Sequence, residues 1–175
     1  MKGLILMMGI PGSGKTTLAK KLFSEKTDIY ISRDEIRYSL VEEHEPYFSK
    51  ENEVLQSFID QINIALTKEG RYVVADATHL NYNSRRKILD KIKMKSIKIY
   101  LLYVDVPLKV ALERNAIRTG RERVPESSIR NMYNSIQMPA TIEPIDAVFI
   151  ADENGYINLD KTIIYGKECG NANLL

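Results

Sequence analysis

A glycine-rich segment near the start of the chain carries residue types that bind phosphate. Residues 9–16 are Gly-Ile-Pro-Gly-Ser-Gly-Lys-Thr, which matches the pattern G-x-x-x-x-G-K-[ST] in full. Glycines let the backbone wrap closely around an anion and point its N–H groups inward. In this pattern the lysine reaches the β- and γ-phosphates of a nucleoside triphosphate, and the hydroxyl that follows it ligates Mg²⁺. The segment therefore predicts a phosphate-binding loop for a nucleotide and a magnesium ion.

We expect this loop to supply most of the contacts to the nucleotide. The predicted contact residues within it are Gly9, Pro11, Gly12, Ser13, Gly14, Lys15, Thr16 and Thr17. A helix that begins at about Lys15 would add the positive end of its dipole to the same site. Asp76 ends an apolar run and is the predicted partner of Thr16 at the metal.

The residues around the loop favour ATP and transfer to an acceptor over hydrolysis. Guanine-specific GTPases usually carry an Asn-Lys-x-Asp element, which the sequence lacks. Motor-type ATPases usually place a glutamate beside the aspartate that corresponds to Asp76, where it polarises water. Here the next residue is Ala77.

Asp34 and Arg37 follow a second apolar run and indicate an acceptor site. They are three residues apart, so they share one face of a helix that opens at Arg33. The carboxylate can accept the proton of an attacking hydroxyl, and the guanidinium offers a bidentate fork for a phosphate. Such a pair suits a hydroxyl with a phosphate nearby, as at the 5′-OH end of a nucleic acid. The alternative is an ordinary surface ion pair at a helix N-terminus.

Arginines in the second half of the chain suggest a lid over the triphosphate. Arg114, Arg118 and Arg121 recur at i, i+4 and i+7, which would place them on one helical face. A lid of this kind would neutralise the transferring phosphoryl group and exclude water. Because glutamates are interleaved with them, a solvated surface of mixed charge is the alternative.

Strands that alternate with helices position these residues. We predict strands at residues 3–8, 28–31, 72–75, 97–104 and 147–150, and helices at residues 15–25, 33–41, 51–68, about 84–94, 107–120 and 125–138. This order predicts a parallel five-stranded α/β sheet with helices on both faces and ligands beyond the carboxyl ends of the strands. An Asn-Gly turn at 154–155 predicts a C-terminal hairpin. Residues from about 166 are expected to form a loose tail on a single domain of residues 1–175.

Composition and the lengths of the apolar runs exclude several classes of protein. The chain has 175 residues and a net charge of +2, so a polybasic tail is not its main binding device. A single cysteine excludes a disulfide scaffold. The apolar runs are too short to span a bilayer, and no secretory signal is evident, so no membrane partner and a cytoplasmic location are expected.

The ordered set of motifs resembles the kinase domain of polynucleotide 5′-hydroxyl kinases of the T-even bacteriophage type. The matching segments are the phosphate loop, Ser-Arg-Asp-Glu-Ile-Arg at 32–37, Asp-Ala-Thr-His-Leu-Asn at 76–81, Arg-Asn-x-x-Arg at 114–118, Val-Pro at 124–125 and Met-Tyr at 132–133. The resemblance runs from Met1 to about residue 150. It implies a P-loop kinase that uses ATP and Mg²⁺ to phosphorylate the 5′-OH ends of DNA or RNA.

The resemblance also implies roles for single residues. Catalytic roles fall to Lys15, Asp34, Arg37 and Arg118, with Asp34 as general base and Arg37 gripping the phosphate 3′ of the acceptor nucleotide. Arg118 would be the lid arginine on the ATP phosphates, with Arg114 nearby. The acceptor side would include Arg37, Asp76, Thr78, Asn81 and Arg85. Ala151 stands where a 3′-phosphatase domain would carry its nucleophilic aspartate, so no phosphatase activity is expected.

Two other functions remain open from the sequence. A P-loop kinase of a nucleoside, sugar or amino-sugar uses the same loop and a comparable Asp/Arg pair. A nucleotide-gated module would keep Lys15 and Thr16 without needing Asp34. His44 and His79 lack partners at ligand spacing, so they are interpreted as polar loop residues and not as a zinc site. Tyr30, Tyr47 and Tyr82 could stack on bases, although packing is the more ordinary role of a tyrosine.

Overall fold

Alternating apolar strands and amphipathic helices build a layered α/β structure in the computed structural model, which describes residues 3–24, 26–68, 71–94 and 96–165. The strands are β1 (Gly3–Met8), β2 (Ile29–Ser32), β3 (Tyr72–Asp76), β4 (Lys98–Val104), β5 (Ala147–Ala151) and β6 (Ile157–Ile164). The helices are α1 (Lys15–Leu22), α2 (Arg33–Leu40), α3 (Glu51–Leu66), α4 (Tyr82–Leu89), α5 (Leu108–Ala116) and α6 (Glu126–Asn134).

The sheet has one strand more than the sequence predicts. Within the described residues six strands are ordered β2-β3-β1-β4-β5-β6, and β1 to β5 pair in parallel. The added strand, β6, pairs antiparallel with β5 and places Ala151 opposite Ile157. The predicted hairpin is therefore confirmed, whereas the five-strand count is wrong. The turn between the two strands is held by Asp152, whose side chain accepts hydrogen bonds from the N–H groups of Asn154 and Tyr156.

The two faces of β1 bury separate clusters of apolar side chains. One face packs Leu4, Leu6 and Met8 against α2, α3 and α4, where Phe58 is fully buried. The other face packs Ile5 and Met7 against α1, α5 and α6. Because helices cover both faces of this parallel strand, nearly every residue of β1 is apolar and buried. Each large apolar side chain that is fully buried stabilises the fold by about 1.5–3 kcal/mol.

The segment that carries the arginines is less helical than predicted. Helix α5 ends at Ala116, and Arg121 lies in a short 3₁₀ turn at Gly120–Glu122. The single helical face proposed for Arg114, Arg118 and Arg121 is therefore wrong. The chain turns back because the Asn115 side chain bonds both the N–H and the carbonyl of Val124, at 3.0 and 2.7 Å. Two bonds between this side chain and the backbone thus hold the segment where a further helical turn was predicted.

Two further sequence expectations concern the C-terminal tail and membrane-spanning segments. The predicted tail from about residue 166, together with Cys169, lies outside the described residues. Among the helices that the structure describes, none combines the length and apolar character needed to cross a membrane.

Arg85 lies in the core and does not line a channel. Its exposed fraction is 0%, and its guanidinium donates to both carboxylate oxygens of Glu143 at 2.6 and 2.8 Å. It also donates to the backbone carbonyls of His79 and Gln137. The predicted role of Arg85 in acceptor binding therefore has no geometric support. The residue ties α4 to the segment before β5.

The Arg85–Glu143 pair allows a test of this architecture. We expect Glu143→Ala to lower the free energy of unfolding by about 3–5 kcal/mol, because it leaves a buried guanidinium without its counter-charge. Urea denaturation measures this change. Asp90→Ala removes the exposed partner of Arg86 and should change stability little. Equal effects of the two substitutions would contradict the proposed importance of the buried pair.

Candidate active site

The phosphate loop joins β1 to α1 in a conformation that only glycine tolerates at two positions. Gly12 has φ +82°, and a Cβ there would lie 2.3 Å from the carbonyl oxygen of Ala111. Gly14 has φ +96° and precedes the first residue of α1. Ser13 is buried between them, and its hydroxyl oxygen has no hydrogen-bond partner among the described residues. The loop therefore offers backbone N–H groups and an unpaired hydroxyl, which fit a phosphate ligand.

Lys15 lies at the centre of the charges that converge on this loop. Its ammonium donates to the carbonyl of Ile10 at 3.2 Å, so the lysine side chain folds back over the phosphate loop. Desolvation lowers the pKa of Lys15, whereas the carboxylates of Asp76 and Asp34 act in the opposite direction. The guanidinium of Arg118 lowers the pKa further. Three predicted site residues from β3, α2 and the segment after α5 are thus brought within electrostatic reach of Lys15.

Asp76 connects the loop to the middle of the sheet. Its Oδ2 atom accepts hydrogen bonds from the hydroxyls of Thr16 at 2.6 Å and Tyr30 at 2.5 Å. Burial, followed by the charge of Asp76, raises the pKa of Tyr30, so this hydroxyl stays a donor. Hydroxyl and carboxylate oxygens are ligands that Mg²⁺ prefers, so Thr16 and Asp76 fit the predicted metal. Sequence reasoning missed Tyr30 as part of this group, because only strand pairing brings it to Asp76.

Asp34 and Arg37 are brought together as predicted, but their exposure differs greatly. Ser32 caps α2 by accepting a bond from the N–H of Glu35, which fixes the start of the helix. Arg37 then donates to Asp34 Oδ1 at 2.5 Å, and the Tyr47 hydroxyl donates to the same oxygen at 3.1 Å. The side chain of Asp34 is 66% exposed, whereas that of Arg37 is 5% exposed. Asp34 can therefore meet a substrate, and Arg37 holds it in place.

Glu51 is a second carboxylate that the sequence did not single out. It pairs with Arg37 at 2.7 Å and also with Arg33, so both guanidinium groups of α2 are bound to the first residue of α3. Nη1 of Arg37 is bound to Asp34 and Nη2 to Glu51, while Nε is buried without a partner among the described residues. Arg37 therefore presents no accessible fork to an acceptor phosphate in this conformation. The Arg37 guanidinium, which the sequence predicts to bind phosphate, instead holds the carboxylate of Asp34 in this structure.

The arginines after β4 serve different parts of the site. Arg114 donates to the carbonyl of Ser13 in the phosphate loop at 3.1 Å and to the carbonyl of Glu153 at 2.8 Å. Arg118 acts on Lys15 through its charge. Arg121 reaches the other side and donates to the carbonyl of Val41. The segment thus contacts the phosphate loop at Ser13 and the end of α2 at Val41, without forming the continuous helical lid that was predicted.

The loop between β3 and α4 shapes the site through its backbone. The carbonyl of Thr78 accepts a bond from the N–H of Gly9 at 3.1 Å. Asn81 caps α4 through a reciprocal capping box with Ser84, and Tyr82 begins that helix. His79 is 2% exposed, and its Nδ1 lies 2.7 Å from the carbonyl of Met7. The side chain of Asn81 is thus occupied within the fold, and His79 is a core residue of the loop.

Comparison with known proteins identifies the family. A family profile described as an AAA domain, AAA_33, matches residues 4–139. The chain belongs to the AAA_33 family. The matched span includes the phosphate loop, Asp34 and Asp76, the residues that converge on Lys15.

Two curated proteins are similar to this chain. L-seryl-tRNA(Sec) kinase of Methanococcus maripaludis is 31% identical over 143 residues, which cover 79% of this chain and 54% of that protein. A protein of Autographa californica nuclear polyhedrosis virus, assigned as a bifunctional polynucleotide kinase/RNA ligase, is 28% identical over 145 residues. That match covers 75% of this chain and 20% of the viral protein. The chain thus spans about half of the first relative and a fifth of the second.

A solved structure supports the fold. The sugar kinase of Janibacter sp. HTCC2649 superimposes with a TM-score of 0.60 over 87% of this chain and 85% of its own. Its sequence identity is 16%, so the likeness concerns the architecture alone.

The role of Lys15 can be tested by nucleotide binding. We expect Lys15→Ala to weaken binding of a non-hydrolysable ATP analogue with Mg²⁺ roughly 10- to 100-fold, because it removes a charged hydrogen bond to phosphate. Isothermal titration calorimetry measures the affinity. Lys21→Ala removes an exposed lysine from the last turn of α1 and is the matched control. Unchanged affinity in Lys15→Ala would show that the loop does not hold phosphate in the predicted way.

The burial of His79 predicts a pH dependence of stability. Burial lowers the pKa of His79 to about 4, whereas the unfolded value is 6.5. Between these values the unfolded chain binds a proton that the folded chain does not, so the free energy of unfolding falls as the pH is lowered. The effect of His79 makes the free energy of unfolding about 3 kcal/mol higher above pH 6.5 than below pH 4.

His79→Asn should reduce the fall in stability between pH 6.5 and pH 4, measured by urea denaturation. Asparagine tolerates the positive φ of 44° at this position. His44→Asn is the control, because the His44 side chain is 79% exposed. A pH profile that His79→Asn leaves unchanged would argue against a buried neutral imidazole.

Proposed function

We propose that this chain is an ATP-dependent kinase that transfers the γ-phosphate of ATP to the 5′-OH end of DNA or RNA. The observation that carries the proposal is the exposed carboxylate of Asp34. It is held by Arg37 and Tyr47 at the carboxyl end of β2, and its charge acts on Lys15 of the phosphate loop. The proposed base therefore lies within electrostatic reach of the lysine that would contact the terminal phosphate.

The two aspartates near Lys15 have different environments, which separates their roles. Asp76 is 5% exposed and already accepts bonds from Thr16 and Tyr30, so it is suited to the metal and not to proton transfer. Asp34 faces solvent on one side, where an acceptor can approach. The residue after Asp76 is Ala77, which cannot activate water. This arrangement favours a bound acceptor over hydrolysis.

The proposed step is a single displacement at phosphorus. The acceptor oxygen forms a bond to Pγ while the bond from Pγ to the β,γ-bridging oxygen breaks, and ADP leaves with that electron pair. The proton of the acceptor hydroxyl passes to the carboxylate of Asp34. Lys15 and Arg118 offset the charge on the transferring group. Mg²⁺, held by Thr16 and Asp76 together with the nucleotide, would supply further neutralisation.

Support for a nucleic-acid acceptor comes from the relatives and from the order of motifs. Both curated relatives are named for substrates that contain RNA or polynucleotide. The similarity to the seryl-tRNA kinase favours a second candidate, in which the acceptor is a hydroxyl on an amino acid esterified to tRNA. A small-molecule kinase is the third candidate, since a sugar kinase has the same fold.

A labelling assay tests the proposal. The protein is incubated with γ-labelled ATP, Mg²⁺ and 5′-OH oligonucleotides of DNA and of RNA, and label at the 5′ end is measured. We expect Asp34→Asn to lower the rate by about 10²- to 10⁴-fold, the usual contribution of a general base. Glu35→Gln changes the neighbouring exposed carboxylate of α2 and should leave the rate unchanged.

The competing acceptors are measured in the same assay. Absence of label on both DNA and RNA would refute the proposal. Faster transfer to seryl-tRNA, or to free nucleosides and sugars, would identify one of the other two acceptor classes. Asp34 is not part of the phosphate loop, so a folded Asp34→Asn variant should still bind the ATP analogue. That binding is the control for folding.

A further inference from the structure

We propose that Tyr38, Tyr47 and Phe48 form a stacking platform for the base of the acceptor's terminal nucleotide. The platform rests on the proposed function, since it places that nucleotide beside Asp34. It adds a binding site, on α2 and the connector to α3, that specifies a nucleobase in the acceptor.

The three rings form one continuous aromatic surface. The ring centroids of Tyr47 and Phe48 are 4.9 Å apart at an interplanar angle of 87°. Those of Tyr38 and Tyr47 are 6.3 Å apart at 64°. Both geometries are edge-to-face contacts, which aromatic pairs prefer. The rings therefore fix one another before any ligand arrives.

Much of this surface faces solvent. Phe48 is 63% exposed and Tyr38 is 37% exposed. Of the four phenylalanines in the chain, Phe48 alone is exposed, while Phe23, Phe58 and Phe149 are at least partly buried. Burial of a phenylalanine is worth about 1.5–3 kcal/mol, and folding leaves much of that unused at Phe48. A ligand with a flat apolar face can recover it.

Two arginines lie against the rings. The guanidinium carbon of Arg37 lies 4.7 Å from the centroid of Tyr47 and 5.3 Å from that of Phe48. Arg121 lies 5.1 Å from the centroid of Tyr38 and 5.8 Å from that of Tyr47. Aromatic rings alternating with cations are the arrangement that binds single-stranded nucleic acid, in which bases stack and phosphates are attracted.

A buried donor on the same cluster also lacks a partner. One nitrogen of Arg121, Nη1, donates to the carbonyl of Val41 at 3.1 Å. The other, Nη2, is buried and has no hydrogen-bond partner among the residues the structure describes. Buried donors are rarely left unpaired, so this nitrogen needs an acceptor that the described residues do not supply.

The position of the platform relative to Asp34 identifies the ligand class. The hydroxyl of Tyr47 donates to Asp34 at 3.1 Å, so the platform begins one hydrogen bond from the proposed base. In a nucleotide whose 5′-hydroxyl meets Asp34, one sugar separates that oxygen from the base. A nucleobase is therefore the flat group that falls on the platform, and the terminal nucleotide must be unpaired to stack there.

Abasic acceptors provide the test. Two 5′-OH oligonucleotides are compared, one with an ordinary first nucleotide and one whose first residue lacks its base. For the ordinary acceptor, Phe48→Leu should raise KM about 5- to 150-fold, the worth of stacking one base, with kcat and the KM for ATP unchanged. For the abasic acceptor, Phe48→Leu and the unchanged protein should have the same KM. Phe48→Trp should restore the KM for the ordinary acceptor.

Tyr72→Leu is the matched control, because Tyr72 is 41% exposed at the opposite end of the sheet, at the start of β3. It should leave KM unchanged for both acceptors. An increase in KM on Phe48→Leu that is equally large for the abasic acceptor would overturn the platform, since it would indicate a structural role. An unchanged KM for the ordinary acceptor would overturn it as well.

Binding measured without catalysis separates failure of the platform from failure of the proposed function. Fluorescence anisotropy with the same oligonucleotides labelled at the 3′ end gives Kd directly. The platform predicts tighter binding of the ordinary acceptor than of the abasic one, and loss of that difference in Phe48→Leu. Equal Kd values for the two acceptors in the unchanged protein would refute the platform even where phosphate is transferred. Absence of transfer together with the expected Kd difference would refute only the kinase reaction.

Discussion

The hydrogen bond from Thr16 to Asp76 is the contact on which the arrangement of the site depends. Parallel pairing sets Asp76 level with Met7 on β1 and with Ser32 on β2, so the ends of three strands meet at one carboxylate. The bond then fixes the first turn of α1, and with it the phosphate loop, to the middle of the sheet. Since both Thr16 and Tyr30 share a single oxygen of Asp76, displacing either one changes the surroundings of the other.

A second constraint is the sharing of Arg37 between two carboxylates. Asp34 and Glu51 both bond to it, and Glu51 also holds Arg33. A buried guanidinium is costly unless its donors are paired, so this network makes α2 and α3 pack in one relative position. The exposed Asp34 is thereby held in position, as its proposed contact with a substrate would require. The charges of these four residues offset one another within the network.

Local patterns in the sequence were sufficient to predict the phosphate loop, the alternation of strands and helices, and the juxtaposition of Asp34 with Arg37. Each of these features depends on residues that are close in the chain. Tyr30, Glu51 and Arg85 were missed or misplaced, since their partners lie 46, 14 and 58 residues away. The early end of α5 was also missed, because it depends on the side chain of Asn115, which bonds to the backbone of Val124 nine residues later. The edge strand β6 is largely exposed, so it carries no clear two-residue alternation.

The close approach of Gly12 to the carbonyl of Ala111 has a consequence for motion. Because the loop contacts α5 at Ala111, a movement of this helix as a unit would displace the loop as well. A movement of the arginine-bearing segment that left the loop in place would have to begin beyond Ala116. Gly120, with φ +55° and no atom within 4 Å of the place a Cβ would occupy, has both the backbone freedom and the clearance for such a hinge.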